Sequence, residues 1–313
     1  MIIRVNPWAI NYSFTSYQKD GFQRTCHFSF PILNFPLPKH HCCVYTNYMG
    51  KIYVFVNQKG GVGKTTSALN IGAYLAEEGK KTLLVDFDAQ ANLSSGVGAN
   101  PLKPGIYELL SESATVDQVI RKTAVNLLDV IPASIDLSGA AVELIEQEDR
   151  DLFLKRALAP VKTRYDYILI DCPPSLGVLT LNGMAAADAV LIPMQCEYFA
   201  MEGLSLLLQT IQRIQRGLNK QLAIGGIFFT MYDPRTRLAQ DVIKQVSAYF
   251  KSAVFSTIIP RNVRLSEAPS HGQPIVLYDP HCSGARAYQS LAREILNRSS
   301  LQNTGKKGNS SGA

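Results

Sequence analysis

The residues with the clearest chemistry form one run, Asn57-Gln-Lys-Gly-Gly-Val-Gly-Lys-Thr-Thr66. Three glycines, Gly60, Gly61 and Gly63, surround Val62 and let backbone N–H groups converge on anionic oxygens without Cβ clashes. Lys64 stands where an ammonium reaches the β- and γ-phosphates of a nucleotide, and the Thr65 hydroxyl, followed by Thr66, stands where Mg2+ would be ligated. Such a loop needs a strand before it and a helix N-terminus after it. Both patterns are present: residues 51–56 read as a buried strand and residues 65–78 as an amphipathic helix.

Carboxylates at the ends of other apolar runs complete a metal site. Asp171 closes the run Tyr167–Ile170, where it can hold the water shell of Mg2+ beside the loop. Asp86 and Asp88 follow Leu83–Val85 and share one side of the strand by the period of two. Asp86 is expected to support the metal site.

These residues have to be carried by a sheet. Six stretches read as strands, at 51–56, 82–86, 167–171, 188–193, 224–231 and 254–259, separated by helical or loop segments. The pattern predicts a doubly wound α/β fold with a mostly parallel sheet, a single P-loop NTPase domain over 49–298, and a ligand at the C-terminal ends of the strands. Residues 299–313 read as a polar, disordered tail. Residues 285–298 read as a terminal helix that packs on the core through Tyr288, Leu291, Ala292, Ile295 and Leu296.

The loop departs from the ordinary phosphate-loop pattern. Gln58 stands where a glycine is usual, and Lys59 follows it as a second lysine. With this deviant Walker A sequence the chain resembles the ParA/MinD family of ATPases, and within it the small chromosomal ParA (Soj-like) branch. The resemblance covers residues 49–298. It extends to Asp86-Phe-Asp-Ala-Gln-Ala-Asn92, Ile168-Leu-Ile-Asp-Cys-Pro-Pro-Ser175, Gln195-Cys-Glu-Tyr-Phe199 and the block from Ile259 to Gly272.

The resemblance implies an ATP hydrolase using ATP and Mg2+, in which Asp88 orients the attacking water and Pro260 and Asn262 cradle adenine. It implies an ATP-dependent homodimer, non-specific DNA as a ligand through Arg235 and Arg264 with Arg261 adding to the patch, and a ParB-like protein that triggers hydrolysis. Its setting would be cytoplasmic and nucleoid-associated, and its task chromosome or plasmid segregation. Lys59 has a physical logic in such a dimer, although a solvated loop lysine is the alternative. Two nucleotides held face to face repel each other, and a lysine reaching from each chain to the other's phosphates would offset that repulsion.

Composition sharpens the alternatives. The 313 residues carry a formal charge of +6. The first 48 hold Arg4, Lys19, Arg24 and Lys39 against Asp20, and the tail holds Lys306 and Lys307, so the body is almost neutral. DNA binding would therefore rest on placed arginines and not on overall charge. Residues 1–48, with prolines and ten aromatic residues, fit neither a secretory signal nor a transit peptide; they are expected to be an extension or to lie upstream of the true start at Met49. A MinD-like membrane ATPase would end in a basic amphipathic helix, whereas the last fifteen residues contain one leucine. An iron–sulfur relative would need thiolates near the nucleotide, and no cysteine lies between 44 and 171. Neither membrane nor cluster is expected. The alternatives are a MinD-like membrane-associated division-site ATPase and a non-enzymatic, nucleotide-gated interaction module with negligible turnover.

Overall fold

Strands buried on both faces of a parallel sheet are continuously apolar, and the runs that precede the chemical residues have that composition. The computed structural model describes residues 50–99, 104–144, 147–197 and 200–304, all within one structural unit, Val44–Ala313. The 1–48 extension and residues 305–313 of the expected tail lie outside the described residues.

The strands are β1 (Lys51–Phe55), β2 (Thr82–Asp86), β3 (Arg121–Lys122), β4 (Leu128–Ile131), β5 (Tyr167–Asp171), β6 (Ala189–Gln195), β7 (Ala223–Tyr232) and β8 (Val254–Pro260). They form one sheet in the order β3-β4-β2-β5-β1-β6-β7-β8, parallel throughout except for the β3–β4 pair. The helices in chain order are α1 (Lys64–Glu77), α2 (Asn92–Gly96), α3 (Ile106–Leu110), α4 (Val116–Val119), α5 (Leu137–Glu143) and α6 (Phe153–Leu158). After them come α7 (Val178–Ala186), α8 (Ala200–Arg216), α9 (Arg237–Phe250), α10 (Arg264–Glu267), α11 (Ile275–Tyr278) and α12 (Ser283–Thr304).

The doubly wound parallel architecture is the expected one, and all six expected strands are present. β3 and β4 were not foreseen. β4 is only four residues, Leu-Asp-Val-Ile, and its carboxylate Asp129 is buried against Tyr165 and Lys122, so neither length nor alternation marks it as a strand.

Two expectations about helices are corrected. α1 is not amphipathic: Lys64 and every residue from Ser67 to Ala76 is buried, because one side meets the sheet and the other is covered by α12. Gly72 permits this approach, since a Cβ there would lie 2.6 Å from Leu84 Cδ2. The terminal helix packs on the core as expected, but it does not stop at 298. It runs to Thr304 because Ser299 is itself buried, with its hydroxyl 3.2 Å from the Tyr53 hydroxyl and hydrogen-bonded to the Ile295 carbonyl.

Candidate active site

β1, β2 and β5 are neighbours, and their C-terminal ends deliver the chemical residues to one place. Register pairs Phe55 with Asp171 and Asp171 with Asp86 across adjacent strands. The run 57–63 leaves β1 and turns into α1. Gly61 (φ 71°) and Gly63 (φ 86°) occupy left-handed backbone that side-chain-bearing residues avoid, whereas Gly60 has an ordinary φ and open space around it. Gly63 caps α1 without a side-chain hydrogen bond, so the first N–H groups of the helix remain for an anion.

The loop is clamped from the neighbouring strand ends. Asn57 Nδ2 donates to the Pro193 carbonyl (2.8 Å), Gln195 Nε2 to the Gly61 carbonyl (3.0 Å) and the Thr230 hydroxyl to the Val62 carbonyl (2.8 Å). Val62 is itself buried. Thr66 offers its carbonyl to Asn70, whose Oδ1 accepts the Ile275 N–H, tying the start of α1 to the segment after β8. Thr230 and Asn70 escaped the sequence reading, because a threonine near a strand end and an asparagine inside a helix carry no signal of their own.

Thr230→Val keeps the shape of that side chain and removes one buried hydrogen bond. The expected loss is about 1–3 kcal/mol of stability, seen in thermal unfolding, with a several-fold rise in KM for ATP.

Lys64 is 7% exposed, and its Nζ donates to the carbonyls of Asn57 (3.2 Å) and Lys59 (3.3 Å). Burial lowers its pKa, while Asp171, Cys172 and Asp88 act in the opposite direction. Asp171 is 1% exposed, and among the described residues neither carboxylate oxygen has a well-formed hydrogen-bond partner. Burial, and then Asp86, push it well above the usual carboxylate range; the Thr65 side chain and the Lys64 ammonium act the other way without offsetting them. Two unsatisfied buried oxygens beside a threonine hydroxyl form the oxygen donor set of a hard cation, so the residues present fit Mg2+.

Asp86 has different work. One oxygen accepts the Ser94 N–H (2.8 Å) and hydroxyl (2.6 Å), and the other the Asp88 N–H (3.3 Å). Burial raises its pKa to about 6 against those hydrogen bonds. Its carboxylate thus shapes the loop that carries Asp88 and anchors α2. Ser94 is a further residue the sequence reading missed. Asp88 lies on that loop with Oδ1 accepting the Gln90 N–H at 3.1 Å.

A family model described as an AAA domain matches residues 50–224. The chain is 67% identical over 251 residues to the chromosome-partitioning ATPase Soj of Treponema pallidum, covering 80% of this chain and 98% of that protein. It is 54% identical over 249 residues to the sporulation initiation inhibitor protein Soj of Bacillus subtilis, covering 79% and 98%. The chain belongs to the ParA/Soj family. It is a P-loop ATPase of the chromosome-partitioning class. A solved structure, cobyrinic acid a,c-diamide synthase from Mycobacterium smegmatis with bound ADP and magnesium, is similar at 37% identity with a TM-score of 0.71, covering 80% of this chain and 96% of that one.

The remaining candidate residues of this ParA/Soj chain lie towards the other edge of the sheet. Pro260 ends β8 in register with Tyr232. Asn262 donates to the Ser283 hydroxyl (2.8 Å) and accepts the Arg264 N–H (2.9 Å). Arg235 is 87% exposed but forked onto Asp233, at 2.9 and 2.6 Å. Arg264 is paired with Glu267 (2.9 Å) and Asp279 (3.6 Å). Arg261 is exposed, and the Asp233 carboxylate that holds Arg235 also lies close enough to feel its charge. Lys59, back on the phosphate loop beside β1, is ion-paired with Glu197. No described helix is long and apolar enough to cross a membrane, and no group of histidine, cysteine and acidic residues among the described ones is arranged to hold a metal by itself.

Proposed function

We propose that this ParA/Soj chain uses ATP and Mg2+ to form a dimer that holds DNA without sequence preference, and that a ParB-like partner returns it to the monomer by triggering hydrolysis. The observation that carries the ATPase chemistry is the buried carboxylate of Asp171, which has no well-formed hydrogen bond and stands beside Thr65 and Lys64. Thr65 and Asp171 would hold Mg2+, which supplies charge neutralisation at the phosphate oxygens. The 60–66 backbone and Lys64 bind and orient the phosphates, and Asp88 positions the attacking water from a loop that Asp86 and Ser94 keep in shape. Pro260 and Asn262 take the base. Lys59 reaches the phosphates of the second chain.

DNA binding falls to Arg235, Arg261 and Arg264. Two of these are ion-paired with carboxylates of their own chain, whereas Arg261 only shares the field of Asp233, so its charge is the least engaged of the three. Dimerisation doubles the contacts and switches binding on by avidity. The reading places the protein on the nucleoid and in the segregation of a chromosome or plasmid; a relative named as a chromosome-partitioning ATPase supports the partitioning part of it.

Co-sedimentation with DNA in ATP, in ADP and without nucleotide tests it. Binding should require ATP, and log K should fall against log[salt] with a slope of roughly −3 to −4. Arg261→Ala should flatten that slope by about one unit per chain, and more than Arg235→Ala does. Nucleotide-independent or salt-insensitive binding would sink the proposal.

A further inference from the structure

The end of β6 works as a strap across the phosphate loop. It meets the loop at three points: Pro193 takes the Asn57 amide, Gln195 holds Gly61, and Glu197 takes the ammonium of Lys59. Lys59 is held elsewhere too. Its N–H donates to Asn57 Oδ1 at 3.0 Å, and its carbonyl accepts the Lys64 Nζ at 3.3 Å. Both lysines of the loop are therefore engaged inside one chain. A lysine folded onto Glu197 is not extended towards another molecule.

We infer that Glu197 is a latch: it holds Lys59 on its own chain until the phosphates of a second, nucleotide-loaded chain compete for the ammonium, and so opposes dimerisation. Lys64 donates to the carbonyls of Asn57 and Lys59 and, with three N–H groups, keeps one for a phosphate, so it holds the loop in place while Lys59 changes partner. The Lys59–Glu197 pair is the contact that has to exchange. Its side chains are 48% and 53% exposed, so solvent screens it and it is weak enough to be traded for a phosphate. A pair of this exposure is worth about two- to five-fold in an equilibrium constant. A dimer breaks two of them, so the latch would weaken association of the wild-type chain by about 4- to 25-fold. Glu197 is a positioning residue here and touches no reacting atom.

The inference rests on the reading that ATP-bound chains dimerise through Lys59, and the test separates the two. Sedimentation velocity of the full chain in ATP and Mg2+ is run for wild type, Lys59→Ala, Glu197→Gln and Glu197→Asp. Lys59→Ala that dimerises like wild type would defeat the reading itself. If Lys59→Ala fails to dimerise, Glu197→Gln should associate about 4- to 25-fold more tightly than wild type, and Glu197→Asp should return most of the way to it. A merely structural Glu197 would instead disturb the loop. The affinity of the monomer for a fluorescent ATP analogue, compared in Lys59→Ala with and without Glu197→Gln, should then agree within about two-fold if the latch is right. Dimerisation unchanged or weakened by Glu197→Gln, or analogue affinity lost with it, overturns the inference.

Discussion

Asp171→Asn is expected to give a protein that is more stable without nucleotide and nearly inactive with it. The carboxylate is fully buried, has no well-formed hydrogen bond to either oxygen among the described residues and faces Asp86 across adjacent strands. Such a group opposes folding whenever it is ionised. The amide has the same shape and no charge, so the nucleotide-free variant should gain about 1–2 kcal/mol, or a few degrees in Tm. The pH dependence gives the sign. Because the folded-state pKa of Asp171 is raised, the folded chain holds the proton more tightly than the unfolded chain does. Wild-type stability is fully present below the unfolded carboxylate pKa and declines as pH rises towards the folded value. The Tm advantage of the variant should therefore vanish at acid pH and open as pH increases. In MgATP the order reverses: the metal that offsets the wild-type charge has one anionic ligand fewer, and the turnover rate should fall by about 10²–10³-fold. A variant that is destabilised at neutral pH, or that keeps wild-type turnover, would show that Asp171 is a structural carboxylate.

Asp88→Ala should separate binding from chemistry. The groups that shape its loop remain: Asp86 still accepts the Ser94 N–H and hydroxyl, and the backbone N–H of residue 88 still meets Asp86. What is removed is a side chain that points from that loop with one hydrogen bond, to the Gln90 N–H. ATP affinity and ATP-dependent dimerisation are expected to persist, while single-turnover hydrolysis falls by about 10²–10⁴-fold. Dimer that accumulates and fails to disperse on adding a ParB-like partner would be the accompanying observation. Loss of ATP affinity together with turnover would assign Asp88 to binding, and unchanged turnover would remove it from the chemistry.

Much of the fold was readable because its strands are buried on both faces. An unbroken apolar run such as Tyr167–Ile170, closed by an aspartate, announces both a central strand and the end at which chemistry takes place. β4 was not readable, since four residues with a buried aspartate in the middle have no such signature. The reach of α12 was missed for a related reason. Ser299 looks like the start of a polar tail, and only its position beside Tyr53 makes it part of the core. α1 was misjudged in the opposite direction, because Ser67 and Asn70 look like a solvent face until Tyr288 and the Ile275 backbone are seen covering them.

The sequence alone determined the phosphate loop, the carboxylates at strand ends and the family, because glycine placement, a Lys-Thr pair and apolar runs are local properties of the chain. Tertiary structure decided what each charge does. Asp86 and Asp171 look equivalent as strand-terminal acids, yet Ser94 satisfies the first and nothing described satisfies the second. Arg235, Arg261 and Arg264 look equivalent as loop arginines, yet two are neutralised by neighbouring carboxylates. Lys59 looks free to reach outwards, yet Glu197, 138 residues further along the chain, holds it. A charge acts through whatever stands within a few ångströms of it, and that neighbour is fixed by folding and not by proximity in the chain.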